Sequence, residues 1–172
     1  YLKRLTLGFP QGVFEVSRDF RNEGMDRTHN PEFTQVEMYK PFWDYKDMMN
    51  MTEQMFESMA LKIKGTTVIP YPIEGKDGKE ELVEIDYKAP WKRVTVYDGL
   101  RDKLGINPTQ ISDDELRSVA HSHGVDAYTR DDMLLKLFEE VYDADLVQPT
   151  FVYDYPADTS AQQKNIEQNQ DS

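Results

Sequence analysis

The chain has 172 residues, of which 38% are hydrophobic and 12% aromatic, a composition rich enough for a packed core and too rich for a wholly disordered chain. It contains no cysteine, which excludes disulfides and thiolate-held zinc. Its 20 basic and 32 acidic side chains give a net charge of −12, so its surface repels a phosphate backbone at long range and any main grip on nucleic acid lies elsewhere.

From Gly12 to Phe20 the sequence mixes apolar and polar residues in a β-like way, with Val13, Phe14, Val16 and Phe20. A polar stretch with a glycine follows from Asn22 to Pro31, and Phe33 to Trp43 reads as a second strand. Two strands around an irregular loop predict an antiparallel pair whose loop is longer than a tight turn requires. Tyr45 to Ile63 is predicted to be a helix, because Met48, Thr52, Met55, Phe56, Met59 and Ile63 recur at helical steps and Gly65 follows them. That stripe is expected to pack in the core.

Thr66 to Thr95 reads as strands, with Lys76 to Lys79 as a hairpin turn. Val94 to Leu104 suits a short helix. Ser112 with Glu115 is a capping-box signature opening a helix to about His123. Thr129 with Asp132 opens another, with Leu134, Leu137, Phe138 and Val141 on its apolar face. The acidic residues Asp113, Asp114, Glu115, Asp131, Asp132, Glu139 and Glu140 read as solvated helix faces. Gln148 to Tyr155 reads as a buried strand. After Thr159 the chain is rich in Gln, Asn and Ser, and residues 160–172 are expected to be a disordered tail. This order favours an α+β domain on an antiparallel sheet over a parallel βαβ array.

Alternation along the second strand places Phe33, Gln35, Glu37 and Tyr39 on one face and Thr34, Val36 and Met38 on the other. The first row holds an aromatic plate, an amide, a carboxylate and a phenol. A half-polar pocket accounts for such a row better than a fully buried or fully solvated strand does. Arg21 offers a planar fork of donors suited to phosphate, and Glu23 shares its parity if the first strand continues that far. Phe33 suits a flat heterocycle, Glu37 and Tyr39 a cationic group, and His29 a terminal phosphate. Residue by residue the alternatives stay open: Arg21 in a surface ion pair, His29 solvated, and Phe33 and Tyr39 in the core.

The run FRNEGMDRTHNPEFTQVEMY from Phe20 to Tyr39 resembles motif 2 of class II aminoacyl-tRNA synthetases, in the form found in the lysyl branch. Tyr1-Leu-Lys-Arg-Leu before it, and Gln148-Pro-Thr-Phe with Asp154-Tyr-Pro near the end, are similar as well. The resemblance reaches to about Ser160. It implies that residues 1–159 are part of a class II antiparallel-sheet catalytic domain, with motif 2 at about 12–43 and a small helical insertion at about 105–144. It implies roles by position. Arg21 would bind the α-phosphate of ATP and act as the catalytic residue, Glu23 would hold the adenine amino group, Phe33 would stack on the ring, and His29 would lie near the outer phosphates, with Arg27 a weaker candidate. Glu37 and Tyr39 would hold the ε-amine of lysine. The reaction implied is attack of lysine's carboxylate on ATP to give lysyl-adenylate, then transfer to tRNA(Lys), with Mg2+ offsetting phosphate charge.

Several parts of that family pattern lie outside this sequence. Motif 1, the glycine-rich motif 3 with its second arginine, most magnesium-holding acidic residues and the anticodon-binding barrel are not here. No metal ligand is therefore assigned within the chain. The family's Tyr-Pro-x-x-Ser-Pro-Leu-x-Lys has become Tyr155-Pro-Ala-Asp-Thr-Ser-Ala-Gln-Gln-Lys164, without the Pro-Leu pair. The chain starts at Tyr1 and reads as a segment of a longer protein, inactive by itself. The resemblance implies a homodimeric, cytoplasmic parent enzyme; no apolar run approaches the ~20 residues of a membrane span, and Tyr1 to Pro10 is not a signal peptide. Two other readings accompany this one: a non-catalytic module on a synthetase scaffold, and a lysine ligase acting on a protein acceptor.

Overall fold

The computed structural model describes residues 1–22, 24–25, 29–74, 80–142 and 145–157. The chain forms two compact units, Tyr1–Met48 and Met49–Ser172. Among the described residues no helix is long and apolar enough to cross a membrane.

The first unit is a short helix, α1 (Leu2–Leu5), followed by two antiparallel strands, β1 (Val13–Phe20) and β2 (Glu32–Tyr39). Gly12 opens β1 with φ of 100°, a left-handed value that disfavours any side chain. A Cβ there would also come within 3.0 Å of the Tyr39 carbonyl oxygen. The ladder runs from Val13 opposite Tyr39 to Phe20 opposite Glu32. It is continued by the Arg21 N–H, which donates to the Pro31 carbonyl at 2.9 Å. Strand alternation then sorts the hairpin into two faces. One carries Val13, Glu15, Ser17 and Asp19 beside Tyr39, Glu37, Gln35 and Phe33. The other carries Phe14, Val16, Arg18 and Phe20 beside Met38, Val36, Thr34 and Glu32. Phe14, Val16, Phe20 and Val36 on that second face are exposed, and Arg18 pairs with Glu32 at 3.0 Å.

Helix α2 (Tyr45–Lys64) begins under a reciprocal cap. Asp44 accepts from the Lys46 and Asp47 backbone N–H groups, and its own N–H donates to the Asp47 carboxylate. Gly65, at φ 75°, ends the helix by donating to the Leu61 carbonyl. The predicted helix is therefore present, but its methionine stripe is not core. The buried residues of α2 are Glu53 and Ala60, whereas Phe56, Met59 and Ile63 are exposed. These three line an open apolar cleft of about 230 Å3 with Ile69 and Tyr87. The buried positions Glu53 and Ala60 flank the stripe, of which Phe56 packs against Tyr87 and Trp91 while Met48, Thr52 and Met55 are half-buried. The buried position at Glu53 is held by hydrogen bonds from Trp91 and Arg93, which an apolar-spacing argument does not see.

Strands β3 (Val68–Glu74) and β4 (Glu80–Asp86) pair antiparallel from Val68–Asp86 to Glu74–Glu80. The hairpin turn expected at Lys76 to Lys79 lies outside the described residues. Phe56, Tyr87, Trp91 and Phe151 form an aromatic cluster with ring centres 5.3–6.4 Å apart. Strand β5 (Lys92–Thr95) precedes α3 (Val96–Leu104), so the first residues of the expected Val94–Leu104 helix are strand instead. Thr95 caps α3 by accepting the Asp98 N–H, while Val94 pairs with Val152 of β6 (Thr150–Tyr153). This pairing is parallel, unlike the other two. A parallel pair needs a long crossover, and here α3, α4 (Asp113–Ser122) and α5 (Arg130–Tyr142) supply it.

The core of the second unit lies within that crossover. Val96, Leu100, Leu116, Ala120, Leu134, Leu137, Phe138 and Tyr142 are almost wholly buried. Gly99 lets α5 approach α3, since a Cβ there would sit 2.3 Å from the Phe138 ring. The capping box of Ser112 and Glu115 forms as expected. The Arg130 guanidinium donates to the Pro108 and Ile111 carbonyls at 2.8 Å and pairs with Asp113, tying the start of α5 to the loop before α4. Asp113, Asp114, Glu115, Glu139 and Glu140 are exposed, in keeping with solvated helix faces, whereas Asp131 and Asp132 in the first turn of α5 are half-buried. Residues 158–172, which include the expected tail, lie outside the described residues.

Candidate functional site

The polar face of the hairpin assembles most of the expected side chains in one row. Phe33, Gln35, Glu37 and Tyr39 are all half-buried, while Thr34 and Val36 between them are exposed and Met38 is half-buried. The Arg21 guanidinium carbon lies 5.3 Å from the centre of the Phe33 ring, so a cation covers one side of the aromatic plate. A charge-assisted donor fork and a stacking surface are thus adjacent, which suits a flat base joined to a phosphate.

At the other end of the row, the Tyr39 hydroxyl donates to the Glu37 carboxylate. That hydrogen bond, with partial burial and repulsion from Glu37, raises the Tyr39 phenol above its ordinary value. Its proton being committed to Glu37, the Tyr39 hydroxyl offers an incoming cation its oxygen lone pairs. An ammonium, which carries donors alone, fits such a pair of acceptors. Glu15 stands directly opposite Glu37 across the ladder. Like charges in that position destabilise a strand pair, and a cation bound at this face would relieve them. The Lys3 ammonium from α1 lies 5.6 Å from the centre of the Tyr39 ring, so the chain itself supplies a cation to this end of the row.

The hairpin also brings in residues that sequence reasoning missed. Asp19 accepts from the Gln35 amide and from the Ser17 hydroxyl, the latter at 3.3 Å. Alternation along β1 places Ser17 and Asp19 on one face, and the register then sets them beside Gln35 and Phe33. His29 is exposed in the loop before β2. Glu23, expected to contact the adenine, and Arg27 lie outside the described residues.

One hairpin face thus carries an arginine-covered aromatic plate at one end and a carboxylate–phenol pair at the other. Over residues 1–172 the chain matches the family described as tRNA synthetases class II (D, K and N), and it belongs to that family. It is 42% identical over 167 residues to a lysine–tRNA ligase of Clostridium botulinum, a match covering 93% of this chain and 31% of that protein. It is 41% identical over 164 residues to a lysine–tRNA ligase of Methanoculleus marisnigri, covering 93% of this chain and 30% of the relative. A third lysine–tRNA ligase, from Porphyromonas gingivalis, is 43% identical over 163 residues, with 93% and 27% covered. The chain therefore spans about a third or less of the length of these relatives.

Proposed function

We propose that the protein carrying this chain is an ATP-dependent lysine–tRNA ligase and that the β1–β2 hairpin is one wall of its adenylation site. The observation that carries this reading is the paired Glu37 and Tyr39 at one end of a row whose other end is the Arg21-covered Phe33. The two ends suit an ammonium and a base-plus-phosphate respectively. The similarity to three proteins named lysine–tRNA ligase supports lysine as the amine. Glu37 supplies charge to the ε-ammonium and Tyr39 a second acceptor. Phe33 stacks on adenine, with Glu23 on its amino group and His29 near the outer phosphates. Arg21 neutralises the α-phosphate as the lysine carboxylate attacks it. A carboxyl-oxygen–phosphorus bond forms, the bond from phosphorus to the bridging oxygen breaks, and pyrophosphate leaves with the electron pair. Catalysis here is orientation and charge stabilisation, with no covalent enzyme intermediate.

Magnesium would serve by offsetting phosphate charge. The described residues include no group of three His, Cys, Asp or Glu side chains placed to hold a metal ion, and no step is assigned to magnesium. The whole protein would act as a cytoplasmic homodimer on tRNA(Lys). Residues 1–159 are part of its class II antiparallel-sheet catalytic domain, and 105–144 form a helical insertion.

The test is lysine-dependent ATP–pyrophosphate exchange by the full-length protein, followed by charging of tRNA(Lys). Exchange with charging is expected. Absence of exchange would leave a non-catalytic module on this scaffold, and exchange without tRNA charging would point to a protein acceptor. The 172-residue chain alone is expected to show no exchange, because the second ATP-binding arginine is not among its residues.

A further inference from the structure

Between the two ends of the row stands Gln35, and its amide is not left to rotate. One edge donates to Asp19, whose carboxylate also accepts from the Ser17 hydroxyl. A carboxylate offers no proton, so the edge of Gln35 facing Asp19 must be its NH2 group. The carbonyl oxygen is thereby turned to the opposite side, where it has no hydrogen-bond partner among the described residues. Donation to an anion also polarises the amide and makes that oxygen a better acceptor. Gln35 thus presents a fixed, strengthened acceptor on the site face, half-buried and two residues from Glu37.

That spacing is chemically informative. Residues two apart on a strand are separated by about 6.7 Å along it. An extended lysine separates its α- and ε-ammonium groups by a comparable distance. With the ε-ammonium at Glu37 and Tyr39, the α-ammonium falls at Gln35, and the carboxylate is directed onward to Arg21 and Phe33. The order of groups along β2 then matches the order along a lysine meeting a nucleotide.

We propose that Gln35 accepts a hydrogen bond from the substrate's α-ammonium and that Asp19 is a positioning residue, acting only by fixing the Gln35 amide. This inference rests on the lysine reading of the site. It makes the hairpin a ruler for α,ω-diamino acids, selecting a substrate that carries both amines at the right separation.

The test compares equilibrium binding of two ligands to the full-length protein: lysine, and 6-aminohexanoate, which keeps the ε-amine and carboxylate but lacks the α-amine. Gln35→Met should weaken lysine about tenfold, the loss expected for one charge-assisted hydrogen bond at a half-exposed site. It should leave 6-aminohexanoate and the KM for ATP unchanged. Asp19→Asn should lower the ratio of lysine to 6-aminohexanoate affinity severalfold, and the double variant should be no worse than Gln35→Met alone. Taking the ratio within each preparation removes any effect of partial unfolding. Equal losses for both ligands, a change confined to ATP, or additive effects of the two substitutions would each overturn the proposal. If the unaltered protein binds no lysine, the lysine reading fails and this inference fails with it. If it binds lysine and Gln35→Met does not change the ratio, only this inference fails.

Discussion

The guanidinium of Arg21 rests on the ring of Phe33, 5.3 Å from its centre, while the Arg21 backbone N–H closes the hairpin on Pro31. The side chain is therefore held from both ends of the residue, with its fork already oriented. Lysine cannot reproduce a planar fork that stacks on a ring. Arg21→Lys should lower lysine-dependent exchange by the full-length protein roughly 10²-fold, the scale of losing one oriented donor at a developing charge. Phe33→Leu should act mainly on the KM for ATP. Exchange surviving intact in Arg21→Lys would remove Arg21 from the reaction.

Glu53 is the buried carboxylate of α2, 5% exposed, and it accepts from the Trp91 N–H at 3.0 Å and from Arg93 at 3.2 Å. Arg93 is shared with Asn50 and stacks near Phe151, so removing the acid strands several groups at once. Glu53→Ala should destabilise the second unit by about 3 kcal/mol, because a buried pair is broken from one side. Glu53→Gln, which can still accept from Trp91, should lose less. Urea midpoints for the two variants measure the difference.

Gly99→Ala sets two effects against each other. Alanine favours a helix interior over glycine by about 1 kcal/mol. The added methyl would, however, lie 2.3 Å from the ring of Phe138, which is itself stacked on Tyr142. Overpacking of this kind costs about 1–3 kcal/mol and outweighs propensity. The melting temperature should fall, and Phe138→Leu in the same chain should return part of the loss.

Glu115 in the capping box has a carboxyl held below its ordinary value of 4.5, first by the Ser112 hydroxyl and then by the Ser112 N–H. A depressed carboxylate contributes stability that is present above the ordinary value and lost as pH falls through the lowered one. Asp145, held low by Lys103, acts in the same direction. The urea midpoint should therefore drop as pH is taken from about 5 to 3. Glu115→Gln should flatten that slope while leaving part of the cap in place. An unchanged slope would mean that the cap contributes nothing to acid sensitivity.

Local chemistry was readable in the sequence wherever one segment determined its own structure. The Ser112–Glu115 box, the glycine stop at Gly65 and the shared face of Phe33, Gln35, Glu37 and Tyr39 all follow from spacing alone. What escaped depends on partners far along the chain. The parallel pairing of Val94 with Val152 leaves no periodic signature, and the burial of Glu53 depends on Trp91 and Arg93 arriving from another element. Asp19 was missed for a different reason, since its importance appears only once the register sets it beside Gln35.

A two-stranded ladder is marginal in water without further support, and the outer edges of β1 and β2 have no strand partner among the described residues. A strand added to either edge would stiffen the hairpin and fix its twist. Whatever stability the polar face then lends to a bound ligand, the ligand returns to the added strand by the same factor.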